Sequence, residues 1–195
     1  MKNDEILNSL KHTMNSYYPL SEETWKELNK ILTIRKIKKD EYAFHFNEKI
    51  NAISYVYKGL FRVFAVNQKG EEFNKNFFWE TRVYGDMIAL LQDKETQTSI
   101  QALEDSIVVE ITHDKYRQLL YKYDDLKMYH IYYLEKHWIF QKDNISYSLV
   151  LEDAYDRYKR FLKEYGHIEK RLSQYHIASY LGISPTHLSR IKKYS

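Results

Sequence analysis

The hydrophobic pattern of this chain changes its period once, and that single change limits the folds open to it. Between about Ile34 and Ile111, apolar and β-branched residues alternate over short runs such as "AISYVYKGLFRVFAVNQKGEEF", the mark of strands with two distinct faces. Turn residues punctuate the runs: Gly59 interrupts one, "NQKGEE" around Gly70 reads as a hairpin turn, and Gly85 lies in "RVYGDM". Short strands at this spacing predict a β-roll or jelly roll. After Thr112 the period becomes helical, and neither proline nor glycine recurs until Gly166. Strands followed by helices, rather than alternating with them, place the chain in the α+β class.

Helices are also expected ahead of the strands. One falls around Asp4–Met14; a second follows Ser21 in "EETWKELNKIL", with Ser21 as N-cap, acidic residues in its first turn and Trp25, Leu28 and Leu32 on one face. The long helical stretch after Thr112 carries two apolar stripes. One is Ile131, Leu134, Trp138 and Ile145; the other is Tyr129, Tyr133, His137 and Phe140. A helix apolar on two sides must bury both. One stripe can cover the β-domain while the other meets the same stripe of a second copy, or both are buried within one chain. The spacing leaves open which stripe does which.

Composition excludes several chemistries. At 195 residues with 44% hydrophobic residues, the chain can build a core and is not a disordered sequence. Cysteine is absent, which rules out disulfides, thiolate zinc sites, cysteine-ligated iron–sulfur clusters and a cysteine nucleophile. The opening "MKNDEILNSL" has no apolar signal-peptide core, and no run approaches the roughly 18 apolar residues of a membrane span. The expectation is a cytoplasmic protein with no membrane partner. Net charge is +3, but residues 157–195 hold nine basic and two acidic side chains, a local charge of +7, leaving −4 on residues 1–156. A basic end on an acidic body suits nucleic acid, although lysine-rich helix faces are also ordinary solvated surface.

The most specific segment is "IASYLGISPTHLSRIKK", Ile177 to Lys193. Ile177 and Leu181 lie one turn apart, and small Ala178 lets a second helix cross closely. Gly182 permits the left-handed conformation that ends a helix, and Ile183 turns back inward. Ser184 can cap a new helix whose first position is Pro185, where no N–H bond is lost. Leu188 and Ile191 then face inward, leaving Thr186, His187, Ser189, Arg190 and Lys193 on other faces. Two helices joined by a glycine turn are the helix-turn-helix unit, whose second helix enters the DNA major groove; the same pattern also serves helical hairpins with no nucleic-acid role.

A β-roll, a long central helix and this closing segment, in that order, resemble the cyclic-AMP receptor/fumarate–nitrate regulator (Crp/Fnr) superfamily of bacterial transcription factors. The resemblance spans essentially the whole chain, with "VYKGLFRVF", "QKGEEF" and "YGDMIALL…ALEDSIVVEIT" standing where that family has its glycine-marked roll. It implies an effector-like domain over residues 1–118, a central dimerisation helix over 119–148 and a DNA-binding domain over 149–195. It also implies a homodimer on two-fold symmetric promoter DNA, with RNA polymerase as a further partner. Carried over by position, the base-reading contacts fall on Pro185, Thr186, Ser189 and Arg190, with Arg190 the candidate for bidentate bonds to guanine. Ser173, Gln174, Tyr175 and Ser184 sit at helix starts suited to phosphate, and Lys192 and Lys193 add charge. Pro185 stands where the family's catabolite activators have a base-reading arginine, so the target sequence is expected to differ.

The effector cassette departs from the family pattern. Gly85-Asp86 keeps a version of its Gly-Glu pair, with Met87 next, but Thr96-Gln97 stands where an Arg-Ser pair should clamp a cyclic phosphate. Asp86, Met87, Thr96 and Gln97 are therefore the candidate pocket residues, with cyclic AMP not expected as the ligand. Haem is not expected either, since none of the eight histidines has ligand-like spacing. No cofactor or metal is assigned, and the effector is unidentified. Family members also continue past the reading helix into a β-hairpin wing; here Arg157–Lys163 and the Lys170–Arg171 pair are the cations available to replace its phosphate contacts.

The sequence is thus read as a homodimeric transcriptional regulator, either effector-biased or using its roll only as a dimer scaffold. The alternative is a ligand-responsive sensor module that acts through protein contacts. An enzyme is not expected: there is no phosphate-cradling glycine loop, no Gly-x-Ser-x-Gly elbow and no His/acid metal motif.

Overall fold

A computed structural model describes residues 2–139 and 152–193. Helices α1 (Lys2–Asn15) and α2 (Glu22–Asn29) precede eight strands: β1 (Leu32–Ile37), β2 (Tyr42–Phe44), β3 (Ala52–Lys58), β4 (Phe61–Val66), β5 (Glu72–Phe78), β6 (Val83–Tyr84), β7 (Ser99–Ala102) and β8 (Ser106–Thr112). A short helix, α3 (Met87–Gln92), interrupts them between β6 and β7. Then follow α4 (His113–Lys122), α5 (Asp124–Leu134), a single π-type turn at Glu135–Ile139, α6 (Ala154–Tyr165), α7 (Gln174–Leu181) and α8 (Pro185–Lys193). Among the described residues no helix is long and apolar enough to cross a membrane.

The strands form two four-stranded antiparallel sheets, β1-β8-β3-β6 and β2-β7-β4-β5. This is the expected roll. Alternation in β3 and β8 sends side chains to opposite faces of the first sheet. Val56 and Val108 point between the sheets, where they meet Phe44, Phe61, Tyr84 and Ile100. Tyr55, Val109 and Ile111 point outward and are covered by Leu10 and Met14 of α1, Tyr116 and Leu120 of α4, and Leu126, Tyr129 and Tyr133 of α5. The Tyr55 hydroxyl also meets Ser9 Oγ at 3.0 Å and Thr13 Oγ1 at 2.9 Å, which sets α1 along this face. The Tyr129–Tyr133–His137 stripe is therefore the one that covers the β-domain. Of the other stripe, Ile131 remains exposed and Leu134 is half-buried; Ile145, like Phe140 of the first stripe, lies outside the described residues.

Two expectations need correction. Leu32, placed on the face of the second helix, begins β1, because α2 ends at Asn29. The central helix is not continuous from residue 119 either: it is broken at Tyr123, whose backbone is extended (φ −116, ψ 114). The cause lies two residues on. The Asp125 carboxylate accepts the Ser21 backbone N–H at 2.8 Å and the Thr24 hydroxyl at 2.8 Å, pinning the start of α5 to the start of α2. The distal part of that helix, residues 140–148, lies outside the described residues.

The β3–β4 turn leaves no room for a side chain at Gly59. Gly59 has φ +120, and a Cβ there would stand 2.0 Å from Ser106 Oγ, so both backbone and space demand glycine. Gly59→Ala is expected to lower stability by about 1–3 kcal/mol from backbone strain, with the Ser106 clash adding to it. Urea unfolding checks this; a midpoint equal to that of the unaltered protein would contradict it.

Candidate nucleic-acid interface and effector cavity

The last two helices are capped as their residues require. Ser173 is the N-cap of α7, its hydroxyl accepting the His176 N–H at 3.2 Å. Gly182 closes α7 in the left-handed conformation (φ 67), and Ile183 N–H bonds the Ala178 carbonyl at 3.1 Å. Ser184 then accepts the His187 N–H at 3.1 Å, and Pro185 opens α8. Ile177, Ala178 and Leu181 bury against Leu188 and Ile191 and against Tyr158, Phe161 and Tyr165. The two helices thus share a core with α6, which holds them as one unit.

That packing turns the predicted contact residues outward. Ser173, Gln174, Tyr175, Ser184, Pro185, Thr186, Arg190 and Lys193 are exposed, as is His187; Ser189 is half-buried. Tyr175, Ser184 and Pro185 line one open groove, whose opposite wall is Gly70–Phe73 of the β4–β5 hairpin. The starts of both helices therefore stand side by side, an arrangement that offers backbone N–H groups and a cationic second helix to a phosphate backbone.

The cations expected to stand in for a wing are placed differently. Arg157 donates to the Leu181 carbonyl at 3.1 Å and the Glu152 carbonyl at 2.7 Å, closing the C-terminal end of α7. Arg160 pairs with Glu152 at 3.3 Å; Lys192, expected only to add charge to the last helix, pairs with Glu169 at 2.6 Å. Arg171 sits between two carboxylates of the roll, 2.9 Å from Glu80 and 2.7 Å from Glu104. These side chains hold the unit together and to the roll. Lys163 and Lys170 remain exposed.

Of the four cassette residues, Asp86 and Thr96 spend their side-chain oxygens inside the roll. Asp86 caps α3, accepting the Ala89 N–H and the Gln97 N–H, each at 3.1 Å. Thr96 is fully buried; its hydroxyl donates to the His45 carbonyl at 2.6 Å and accepts the Glu48 N–H at 3.2 Å. Gln97 is exposed. Between the sheets the Phe61 and Tyr84 rings stand 4.9 Å apart. Met87 alone of the four lines a cavity, and that cavity lies elsewhere.

This cavity, of about 230 Å³, runs between the β6 end of the first sheet and α5. Ile53, Phe78, Val83, Met87, Tyr129 and Tyr133 form most of its wall, with Arg82, His130 and His137 among its polar members. Burial drives the His137 ring down to about 4, helped by the Arg82 and Lys136 charges; its Nε2 lies 2.6 Å from the Tyr17 hydroxyl. Burial likewise lowers His130, with Arg117 and His113 adding to the effect, and pushes Tyr133 up to about 12. At neutral pH both rings are therefore uncharged, and the wall carries the cation of Arg82. No pattern in the sequence marked this cavity, because its wall is drawn from β3, β5, β6, β8, α4 and α5 at once. His137 was visible only as one member of an apolar stripe.

Residues 34–123 match the family model of the cyclic nucleotide-binding domain. No curated protein matches the chain in sequence. Among solved structures, FixK2 from Bradyrhizobium japonicum is similar with a TM-score of 0.72 and 16% identity, covering 84% of each chain. CLP, the c-di-GMP responsive global regulator of Xanthomonas campestris, gives 0.70 and 17%, covering 89% of this chain and 91% of that one. A chain from Eubacterium rectale assigned to the Crp/Fnr family of transcriptional regulators gives 0.70 and 17%, covering 92% and 87%. The likeness shows the fold: two sheets of a cyclic nucleotide-binding domain followed by a C-terminal helical unit, as in the Crp/Fnr regulators.

The buried histidines make a pH dependence. An unfolded chain's histidine titrates near 6.5 while folded His137 titrates near 4, so on acidification the unfolded state takes the proton first. Stability is full above about pH 6.5 and falls as pH drops towards 4, where this contribution levels off. His113, His130 and His176, also lowered chiefly by burial, steepen the same slope. Urea midpoints across pH 4–7.5 should show that His137→Gln has a shallower slope than the unaltered protein; identical slopes would refute the assignment.

Proposed function

We propose that this chain, built on the fold of the Crp/Fnr regulators, is a DNA-binding transcriptional regulator that works as a homodimer. One observation carries the reading. The closing helices are capped, packed and oriented so that Ser173, Gln174 and Tyr175 and then Ser184, Pro185, Thr186 and Arg190 are all exposed, while every apolar residue between them is turned inward. A merely structural hairpin has no need to keep Thr186, Arg190 and Lys193 exposed together on its second helix. CLP is a global regulator of gene expression and the Eubacterium rectale chain is assigned to the Crp/Fnr transcriptional regulators, which favours regulation over catalysis.

In this reading Arg190 reads guanine in the major groove, Thr186 and Ser189 contact base edges or phosphates, and the starts of α7 and α8 fix the register through phosphate. Ile131 remains 44% exposed on α5, opposite the tyrosines that face the roll, and Tyr132, 42% exposed beside it, stacks on Tyr18. Those residues suit a two-fold seam along the central helix. The regulatory ligand belongs in the cavity beneath α5 rather than in the cassette, because Asp86 and Thr96 are committed within the roll and no arginine stands where a cyclic phosphate would need one. A ligand there would press directly on the helix that carries the seam, and through it bias the spacing of the two readers.

Selection of bound fragments from random DNA with the purified protein should recover an inverted repeat with half-sites about 34 Å apart; no enrichment would sink the reading. Arg190→Ala should cost about 1–3 kcal/mol of specific DNA binding and relax one position of the half-site. If the helical unit docks onto protein instead, that variant changes nothing. Cyclic AMP should leave the thermal unfolding temperature where it is, and a strong upward shift would return the cassette to the ligand site.

A further inference from the structure

The reader is not simply tethered to the roll; it is built into one end of it. Leu60, from the β3–β4 turn, and Phe77, from β5, are fully buried, and they belong to the apolar core of α6, α7 and α8 rather than to either core of the roll. The Phe77 ring lies 5.8 Å from Tyr165 and 5.6 Å from Tyr180. The Tyr165 hydroxyl, on the same helix that buttresses the reader, donates to Asn76 Oδ1 of β5 at 2.8 Å.

The backbone contacts are of an unusual kind. β5 is the edge strand of the second sheet, and an edge strand leaves a row of N–H and C=O groups without ladder partners. One side chain of α7 meets two of them. Ser179 Oγ accepts the Asn74 N–H at 3.0 Å and donates to the Glu72 carbonyl at 2.9 Å. Asn74 answers with its own amide, donating to the His176 carbonyl at 3.0 Å. The first helix of the reader thus closes a sheet edge that would otherwise be open.

A charged clasp lies beside this apolar core. The Arg171 guanidinium bonds both oxygens of Glu80, at 2.9 and 3.0 Å, and both oxygens of Glu104, at 3.0 and 2.7 Å. Glu80 also accepts the Gly59 N–H at 2.8 Å. Three turns at one end of the roll, those after β3, β5 and β7, are thereby gathered on one side chain of the reader unit. Fork-to-carboxylate pairs of this geometry fix orientation as well as proximity. Thr186 and Arg190 stay exposed with the clasp closed, while Ser184 borders the groove facing Gly70–Phe73, so the clasp itself covers neither reading side chain.

We propose that this joint is a latch that holds the helix-turn-helix in its DNA-reading orientation, so that regulation acts by making or breaking the contacts of Arg171 and Ser179 with the roll. The proposal rests on the DNA-reading role argued above. Its physical basis is preorganisation: a reader held by its own domain loses less orientational freedom when it meets DNA, and two such readers keep one spacing.

Two variants test it, both in the full-length chain on the selected DNA site. Glu80→Gln with Glu104→Gln removes the acidic half of the clasp and makes the protein more basic, which by charge alone would strengthen DNA binding. The latch predicts the opposite, a loss of about tenfold in affinity, with near-ultraviolet circular dichroism showing the core intact. Unchanged or tighter binding would overturn the proposal. The second variant uses the absence of cysteine. Asn74→Cys with Ser179→Cys places a single thiol pair across the joint. Oxidation should lock the latch and keep affinity within about threefold of the unaltered protein, while the reduced form binds more weakly. Binding lost on oxidation and regained on reduction would sink the latch alone; failure of the unaltered protein to bind any DNA would sink the DNA-reading role and the latch with it.

Discussion

The first sheet of the roll is apolar on both faces, and the rest of the molecule is arranged around that constraint. In β3, Tyr55 and Val56 point to opposite sides; in β8, Val109 and Val108 do the same. A sheet of this kind cannot leave either face in water. The inner face takes the second sheet, and the outer face takes α1, α4 and α5. Burial of α5 then fixes which of its sides is left over, and so where a second copy would bind. It also creates the cavity, since the rings of Tyr129 and Tyr133 bridge from the helix to the sheet without filling every gap next to β6.

The other end of the roll solves a different problem. There the second sheet finishes in an open edge, and the C-terminal unit covers it with a serine hydroxyl, an asparagine amide and an arginine fork. A helical unit attached in this manner shares a core with the roll, with Leu60 and Phe77 as common residues. Motion between the two would have to expose apolar surface and strand edge together, which favours two discrete arrangements over a continuous range.

Much of the helix-turn-helix was legible residue by residue. Gly182 adopts the left-handed conformation, Ser184 caps, Pro185 starts the helix, and Leu188 and Ile191 turn inward, all from local chemistry that needs no partner at a distance. The roll was legible for a similar reason, since its alternation is short-range. The break at Tyr123 was not, because Asp125 is held by Ser21 and Thr24, about a hundred residues earlier in the chain. The basic residues misled in the same way: Arg157, Arg160, Arg171 and Lys192 read as free positive charge until their carbonyl and carboxylate partners are seen. The cassette gave a half-answer. The missing arginine at Thr96 was visible, but that the Thr96 hydroxyl is bonded to His45 and Glu48 inside the roll was not.

By itself the sequence determined the kinds of element and their order: two helices, a two-faced roll, a helical stretch and a capped pair of closing helices. Periodicity, caps and turn glycines act within a few residues, so they are written locally. The tertiary structure alone decided which stripe of the central helix is buried, that the open cavity lies under α5 and not in the cassette, and that Arg171 and Ser179 join the closing helices to the roll. Those outcomes depend on groups brought together from distant parts of the chain, where no local pattern records which polar atom will find which partner.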